Sequence, residues 1–132
     1  MRIAIVGMCG HFNYILPSVK KNGDEIAGLA PGPEEDVLIM RERLDNYALK
    51  GFEFPLFDDW KDMLNRIRPD IAVVNPVFAY AAEVAGYALG LGIHVFCEKP
   101  VATDFEKLET LENAYDSANK SKRVCLAAMF GI

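Results

Sequence analysis

Short apolar runs rich in β-branched residues alternate with segments of helical period along the whole chain. That alternation predicts βαβ units around a parallel sheet, whose buried strands read as continuous apolar runs joined by amphipathic crossover helices. Strands are expected near Arg2–Val6, Glu25–Ala30, Phe52–Leu56, Ile71–Asn75, Ile93–Cys97 and Arg123–Phe130. These six make a complete doubly wound α/β domain with strand order 3-2-1-4-5-6.

The polar residues between the runs place the helices. Trp60, Met63, Leu64 and Ile67 recur at helical spacing behind Asp58 and Asp59, acids suited to a helix N-terminus, and Arg68-Pro69 closes the segment. Val84, Ala85, Ala88 and Leu89 form a second apolar stripe, stopped by Gly90 and Gly92. Thr103-Asp104-Phe105-Glu106 reads as a capping box with Thr103 as cap and Glu106 reaching back, ahead of the stripe Phe105, Leu108, Leu111 and Tyr115. Pro31-Gly32-Pro33 predicts a turn, and Glu34 to Leu49 reads as helical without a clean stripe.

At 132 residues the chain is expected to be one domain spanning 1–132, without repeat or linker. Hydrophobic residues reach 52%, an excess that suggests apolar surface covered by something else. The net charge of −5 and the absence of a basic run beyond Lys20-Lys21 argue against a nucleic-acid partner. Cys9, Cys97 and Cys125 have neither paired number nor metal-ligand spacing, so free thiols in a reducing compartment are expected. Met1 leads straight into an apolar strand, and no run reaches membrane-spanning length. A cytoplasmic location without a membrane partner is therefore expected.

Two places carry candidate chemistry. The first is Val6-Gly7-Met8-Cys9-Gly10-His11-Phe12-Asn13, where a dinucleotide fold has its GxGxxG turn. Only Gly7 fits that pattern, since Cys9 holds the second glycine position and Phe12 the third, with Gly10 one residue late. Pro17 pushes the following helix start toward Asn13 or beyond, with Gly10 left-handed and Asn13 as cap. Amides at that helix start would favour an anion; a turn that binds nothing is the equally ordinary alternative. The acid that receives ribose hydroxyls in NAD sites is missing, since Ala30-Pro31-Gly32 stands at the end of the second strand. Arg41 and Arg43, further on, read as solvated helix charges rather than partners of a 2′-phosphate.

The second place is Gly92-Ile93-His94-Val95-Phe96-Cys97-Glu98-Lys99-Pro100, an apolar strand ending in an acid, a base and a proline. Carboxyl ends of strands are where open α/β sheets bind ligands, which makes Lys99 the leading candidate for chemistry. A surface Lys-Glu pair before a turn is the plainer reading of the same residues. His94 alternates with apolar neighbours and reads as structural, not as a metal ligand; no metal site is expected. His11 could meet a phosphate or simply be solvated.

Together with Phe57-Asp58-Asp59-Trp60, Arg68-Pro69-Asp70-Ile71-Ala72-Val73-Val74-Asn75-Pro76 and the Glu98-Lys99-Pro100 run, the glycine turn resembles the amino-terminal half of the Gfo/Idh/MocA oxidoreductases. The resemblance covers nearly the whole chain, in order. It implies a Rossmann-type domain that binds NAD or NADP, within enzymes moving a hydride between the nicotinamide and a sugar- or cyclitol-like alcohol. It implies that Gly7, Met8, Cys9, Gly10 and His11 face the pyrophosphate and that Asn75 and Pro76 flank the nicotinamide. Glu98 would position the nicotinamide end, Pro100 would fix the turn, and Lys99 would touch both cofactor and reacting hydroxyl. Partial desolvation beside a cofactor lowers a lysine's hold on its proton, as that role requires.

Three departures qualify the resemblance. Tyr80 stands where the family often has histidine, and it reads as a half-buried helix residue. Asn75 stands where threonine is frequent. The family's second domain, with its substrate contacts and catalytic His and Asp, is expected to be absent from 1–132, leaving a fragment that turns nothing over alone. The small-molecule substrate would reach Lys99 through that domain. A homo-oligomer is compatible with the resemblance, because the usual subunit interface also lies there. The broken glycine pattern keeps open a different class, a non-catalytic dinucleotide or small-ligand sensor module.

Overall fold

The computed structural model describes residues 1–34, 36–46 and 52–129. Among them, β1 (Arg2–Val6), β2 (Glu25–Ala30), β3 (Ile71–Val74), β4 (His94–Cys97) and β5 (Leu126–Ala128) form one parallel sheet in the order β2-β1-β3-β4-β5. The helices are α1 (Leu16–Asn22), α2 (Asp36–Asn46), α3 (Trp60–Ile67), α4 (Ala81–Gly90) and α5 (Phe105–Lys122).

Alternation along the strands divides the core into two layers. Ala4, Val6, Ala72, Val74, Val95 and Cys97 pack against Trp60, Met63 and Leu64 of α3, the Val84–Leu89 stripe of α4, and Leu111 and Ala118 of α5. Ile3, Ile5 and Val73 point the other way, onto Met8, Phe12, Val19 and Met40. The next positions along β3 and β4 are Asn75 and Glu98, which fall on this second side by the same alternation.

The sheet has five strands, not six. Phe52–Leu56 forms no ladder; Leu56 makes a single parallel bridge to Leu29 at the β2 edge. Leu29 N–H donates to Pro55 O at 3.0 Å and Phe57 N–H to Leu29 O at 2.9 Å, so the segment lies where a third strand was expected. Pro55 has no N–H to extend the pairing. The last strand also begins later than expected, because Arg123 takes a left-handed conformation (φ 51°) that closes α5. Phe130, its expected end, lies outside the described residues, as do Glu35 and residues 47–49 of the weakly patterned helical stretch.

Two helix starts differ from expectation. Asp104, not Thr103, caps α5, accepting the Lys107 N–H at 2.8 Å; Thr103 Oγ1 instead accepts from Lys107 Nζ. With the cap one residue later, Phe105 opens the helix 90% exposed rather than joining the core. After the glycine turn, a 3-10 turn over Phe12–Ile15 precedes α1, and neither start carries a side-chain cap, so Asn13 is not one. Pro17 lies in the first turn of α1, where proline is tolerated. Asp59, one of the two acids expected at that N-terminus, caps α3 by accepting the Asp62 N–H at 2.7 Å.

Candidate functional site

The carboxyl ends of β1, β3 and β4 lie side by side, with Val6 paired to Val74 and Val74 to Cys97. The residues just beyond therefore converge: Gly7-Met8-Cys9-Gly10-His11, Asn75-Pro76, and Glu98-Lys99-Pro100. Backbone bonds lock the junction, with Asn75 N–H donating to Val6 O, Cys9 N–H to Asn75 O, and Glu98 N–H to Val74 O, each 2.8 Å.

Two glycines are dictated by this packing. Gly7 has φ +76°, and a Cβ there would stand 2.5 Å from Asn75 O and 2.6 Å from Pro76 Cα. Gly10 has φ +70°, and a Cβ there would overlap the Glu98 carboxylate. The irregular glycine spacing thus serves this molecule's own contacts: the second glycine is placed for Glu98.

Glu98 is buried beneath the turn at 1% exposure. Its Oε2 accepts the His11 N–H at 2.6 Å, and its Oε1 accepts the Lys99 N–H at 3.1 Å. The His11 Nδ1 lies 3.1 Å from Oε2 and 3.3 Å from Oε1. Burial pushes the carboxyl upward, but the His11 and Lys99 donors together outweigh it and hold Glu98 below its usual range. The neighbouring Cys97 thiol is pushed up to about 12 by burial and by the Glu98 charge.

Asn75 is fully buried, and neither its amide nitrogen nor its amide oxygen has a partner. A buried amide with donor and acceptor both unused is costly in a closed core and ordinary in a site that receives a polar ligand. Lys99 is exposed, with Nζ 6.0 Å from the Phe78 ring centroid. It borders an apolar groove together with Pro100, Phe105, Leu108 and Ala128. The Lys99-Pro100 peptide is cis.

The remaining candidates separate. The Met8 side chain is fully buried in the second core layer, which leaves only its backbone at the turn, and Cys9 is half-buried. Tyr80 is half-buried at the start of α4. His94 Nδ1 accepts the Cys125 N–H at 3.0 Å, tying the β4 start to the chain entering β5. No disulfide links Cys9, Cys97 and Cys125. Arg43 corrects the sequence reading, since its guanidinium donates to Gly10 O at 3.1 Å and is not simply solvated. The signal was helical: Arg43 follows buried Met40 by three positions, on the face of α2 turned to the core.

A sequence model of an oxidoreductase family with an NAD-binding Rossmann fold, GFO_IDH_MocA, matches residues 1–128. A putative oxidoreductase from Thermotoga maritima is 34% identical with a TM-score of 0.82, over 99% of this chain and 38% of that one. The WlbA dehydrogenase from Bordetella pertussis, solved with NADH and UDP-GlcNAcA, is 22% identical with a TM-score of 0.71, over 98% of this chain and 34% of that one. A curated relative, glycosyl hydrolase family 109 protein 2 from Akkermansia muciniphila, is 25% identical over 126 residues, 91% of this chain and 26% of its own length. The chain thus spans between about a quarter and two fifths of the length of these relatives. No helix of the described residues is long and apolar enough to cross a membrane.

Proposed function

The chain belongs to the Gfo/Idh/MocA oxidoreductase family as its NAD-binding Rossmann domain, and on that premise we propose that the three converging strand ends hold the cofactor and present Lys99 to an alcohol substrate. The observation that carries the reading is Asn75, whose buried and unpartnered amide lies between the glycine turn and Glu98-Lys99. The residues fit a nicotinamide dinucleotide. Gly7 and Gly10 let the turn pack directly onto Asn75-Pro76 and Glu98, and Asn75 offers a donor and an acceptor to a polar group.

The nicotinamide, when bound, supplies the hydride acceptor or donor. This chain's part is to orient the reactants and move a proton. Removing a hydride from a hydroxyl-bearing carbon requires the O–H proton to leave, and Lys99 Nζ is the base exposed at the strand end. Glu98 is not paired with that amine. It accepts the Lys99 backbone N–H, so the carboxylate fixes the lysine's main chain and leaves its side chain to the substrate. The groove bordering Lys99 is mostly apolar, so the hydroxyl pattern of a sugar- or cyclitol-like alcohol would be read by a second domain of the enzyme.

Titrating the chain with NADH and NADPH by fluorescence tests the reading. Saturable binding is expected; failure of both to bind at millimolar concentration overturns it. Lys99→Ala should leave NADH affinity within about twofold while lowering turnover of the complete enzyme by roughly 10² to 10⁴. Equal loss of both would refute the role given to Lys99.

A further inference from the structure

Glu98 presents a problem of charge. A dinucleotide on the glycine turn brings phosphate charge close to a carboxylate that is 1% exposed and unable to turn away, because Gly10, the His11 amide and the Lys99 amide enclose it. Like charges this close oppose binding unless something neutralises one of them. The group placed to do so is the His11 imidazole, 3.1 Å from Glu98 Oε2 and itself 39% exposed.

A carboxylate only accepts hydrogen bonds, so the imidazole facing it must carry its proton on Nδ1. In the neutral ring that leaves Nε2 without a proton; in the charged ring Nε2–H is a second donor. We infer that His11 and Glu98 form one charge unit that makes dinucleotide binding proton-linked, with the protonated imidazole offsetting Glu98 and donating Nε2–H to the cofactor's phosphates. This rests on the proposal that the glycine turn receives those phosphates. Glu98 is then a positioning residue for His11, and the turn carries a histidine where an ordinary dinucleotide turn relies on glycine and backbone alone.

The other groups around His11 do not supply the same behaviour. Arg43, reaching from α2 to Gly10 O, keeps its charge throughout. The Tyr14 ring, 4.8 Å from the imidazole, comes from the 3-10 turn, and Cys9 precedes within the loop. Cys97, with its thiol pushed up to about 12, stays neutral. Lys99 adjoins Glu98 through its backbone. Of these residue types, histidine is the one whose charge changes near neutral pH.

The test is the NADH dissociation constant of the 132-residue chain between pH 6 and pH 7.5, measured by fluorescence at constant ionic strength. Affinity should weaken by about fivefold as pH rises, the upper end of what one partly exposed charge contributes. His11→Gln should bind with a flat profile near the wild-type value at pH 7.5. A flat wild-type profile, or an unchanged slope in His11→Gln, overturns the proton link alone. Failure of the wild type to bind NADH at any pH overturns the assignment of the turn as well.

Discussion

Gly10→Ala separates backbone strain from a specific collision, because the molecule contains a control. Gly10 and Gly23 have nearly the same left-handed φ, +70° and +68°, but a Cβ at Gly10 would overlap the Glu98 carboxylate while a Cβ at Gly23 meets nothing within 4 Å. Alanine in that conformation costs about 1 to 2 kcal/mol at either position. At Gly10 the carboxylate must also move, at the expense of its bonds from the His11 and Lys99 amides, and a hydrogen bond to a charged group contributes about 1.5 to 3 kcal/mol. Gly10→Ala should therefore cost about 2.5 to 5 kcal/mol if one of those bonds is lost, and Gly23→Ala about 1 to 2 kcal/mol. Urea unfolding followed by Trp60, the chain's single tryptophan and a buried member of the core, measures both. Equal costs at the two glycines would refute the claim that Glu98 is fixed beneath the turn.

Asn75→Leu replaces a buried, unpartnered amide with an apolar side chain, so it should raise the stability of the cofactor-free chain by about 1 kcal/mol. The same variant should weaken NADH binding; a destabilised chain with unchanged affinity would show that the amide serves packing instead. Glu98 predicts a pH dependence with a definite sign. Its carboxyl is held below the usual 4.5, so the stability it adds is present above that value and is lost as pH falls through its lower folded value. The stability gap between wild type and Glu98→Gln should accordingly narrow below pH 4.5 in urea titrations, and a constant gap would contradict the bonding described.

The fold was legible wherever local pattern and burial agree. Residues 3–6, 26–30 and 72–74 are apolar runs buried on both faces, the pattern of a central parallel strand. Phe52–Leu56 has a strand's composition, but Pro55 cannot donate, and a single bridge remains of the expected pairing. At α5 two adjacent residues, Thr103 and Asp104, could each serve as cap, and a spacing rule cannot choose between neighbours.

The site was legible in its members more than in its contacts. Gly7, Asn75, Glu98 and Lys99 stand at strand ends, a position that sequence order alone provides. That Glu98 turns inward depends on His11, 87 residues away along the chain, and that Arg43 reaches Gly10 depends on a contact across 33 residues. Neither separation leaves a periodic trace. Gly10 illustrates the difference: as a pattern element it is misplaced by one residue, while in space it is the position that the carboxylate requires.

The central claim, that these three strand ends form the dinucleotide site, is tested most directly by amide chemical shifts of the ¹⁵N-labelled chain during titration with NADH. Shifts should concentrate at Gly7 to His11, Asn75, Glu98 and Lys99, with the Asn75 side-chain amide resonances among those that move. Shifts confined to other surfaces, with these residues unmoved at saturation, would contradict it.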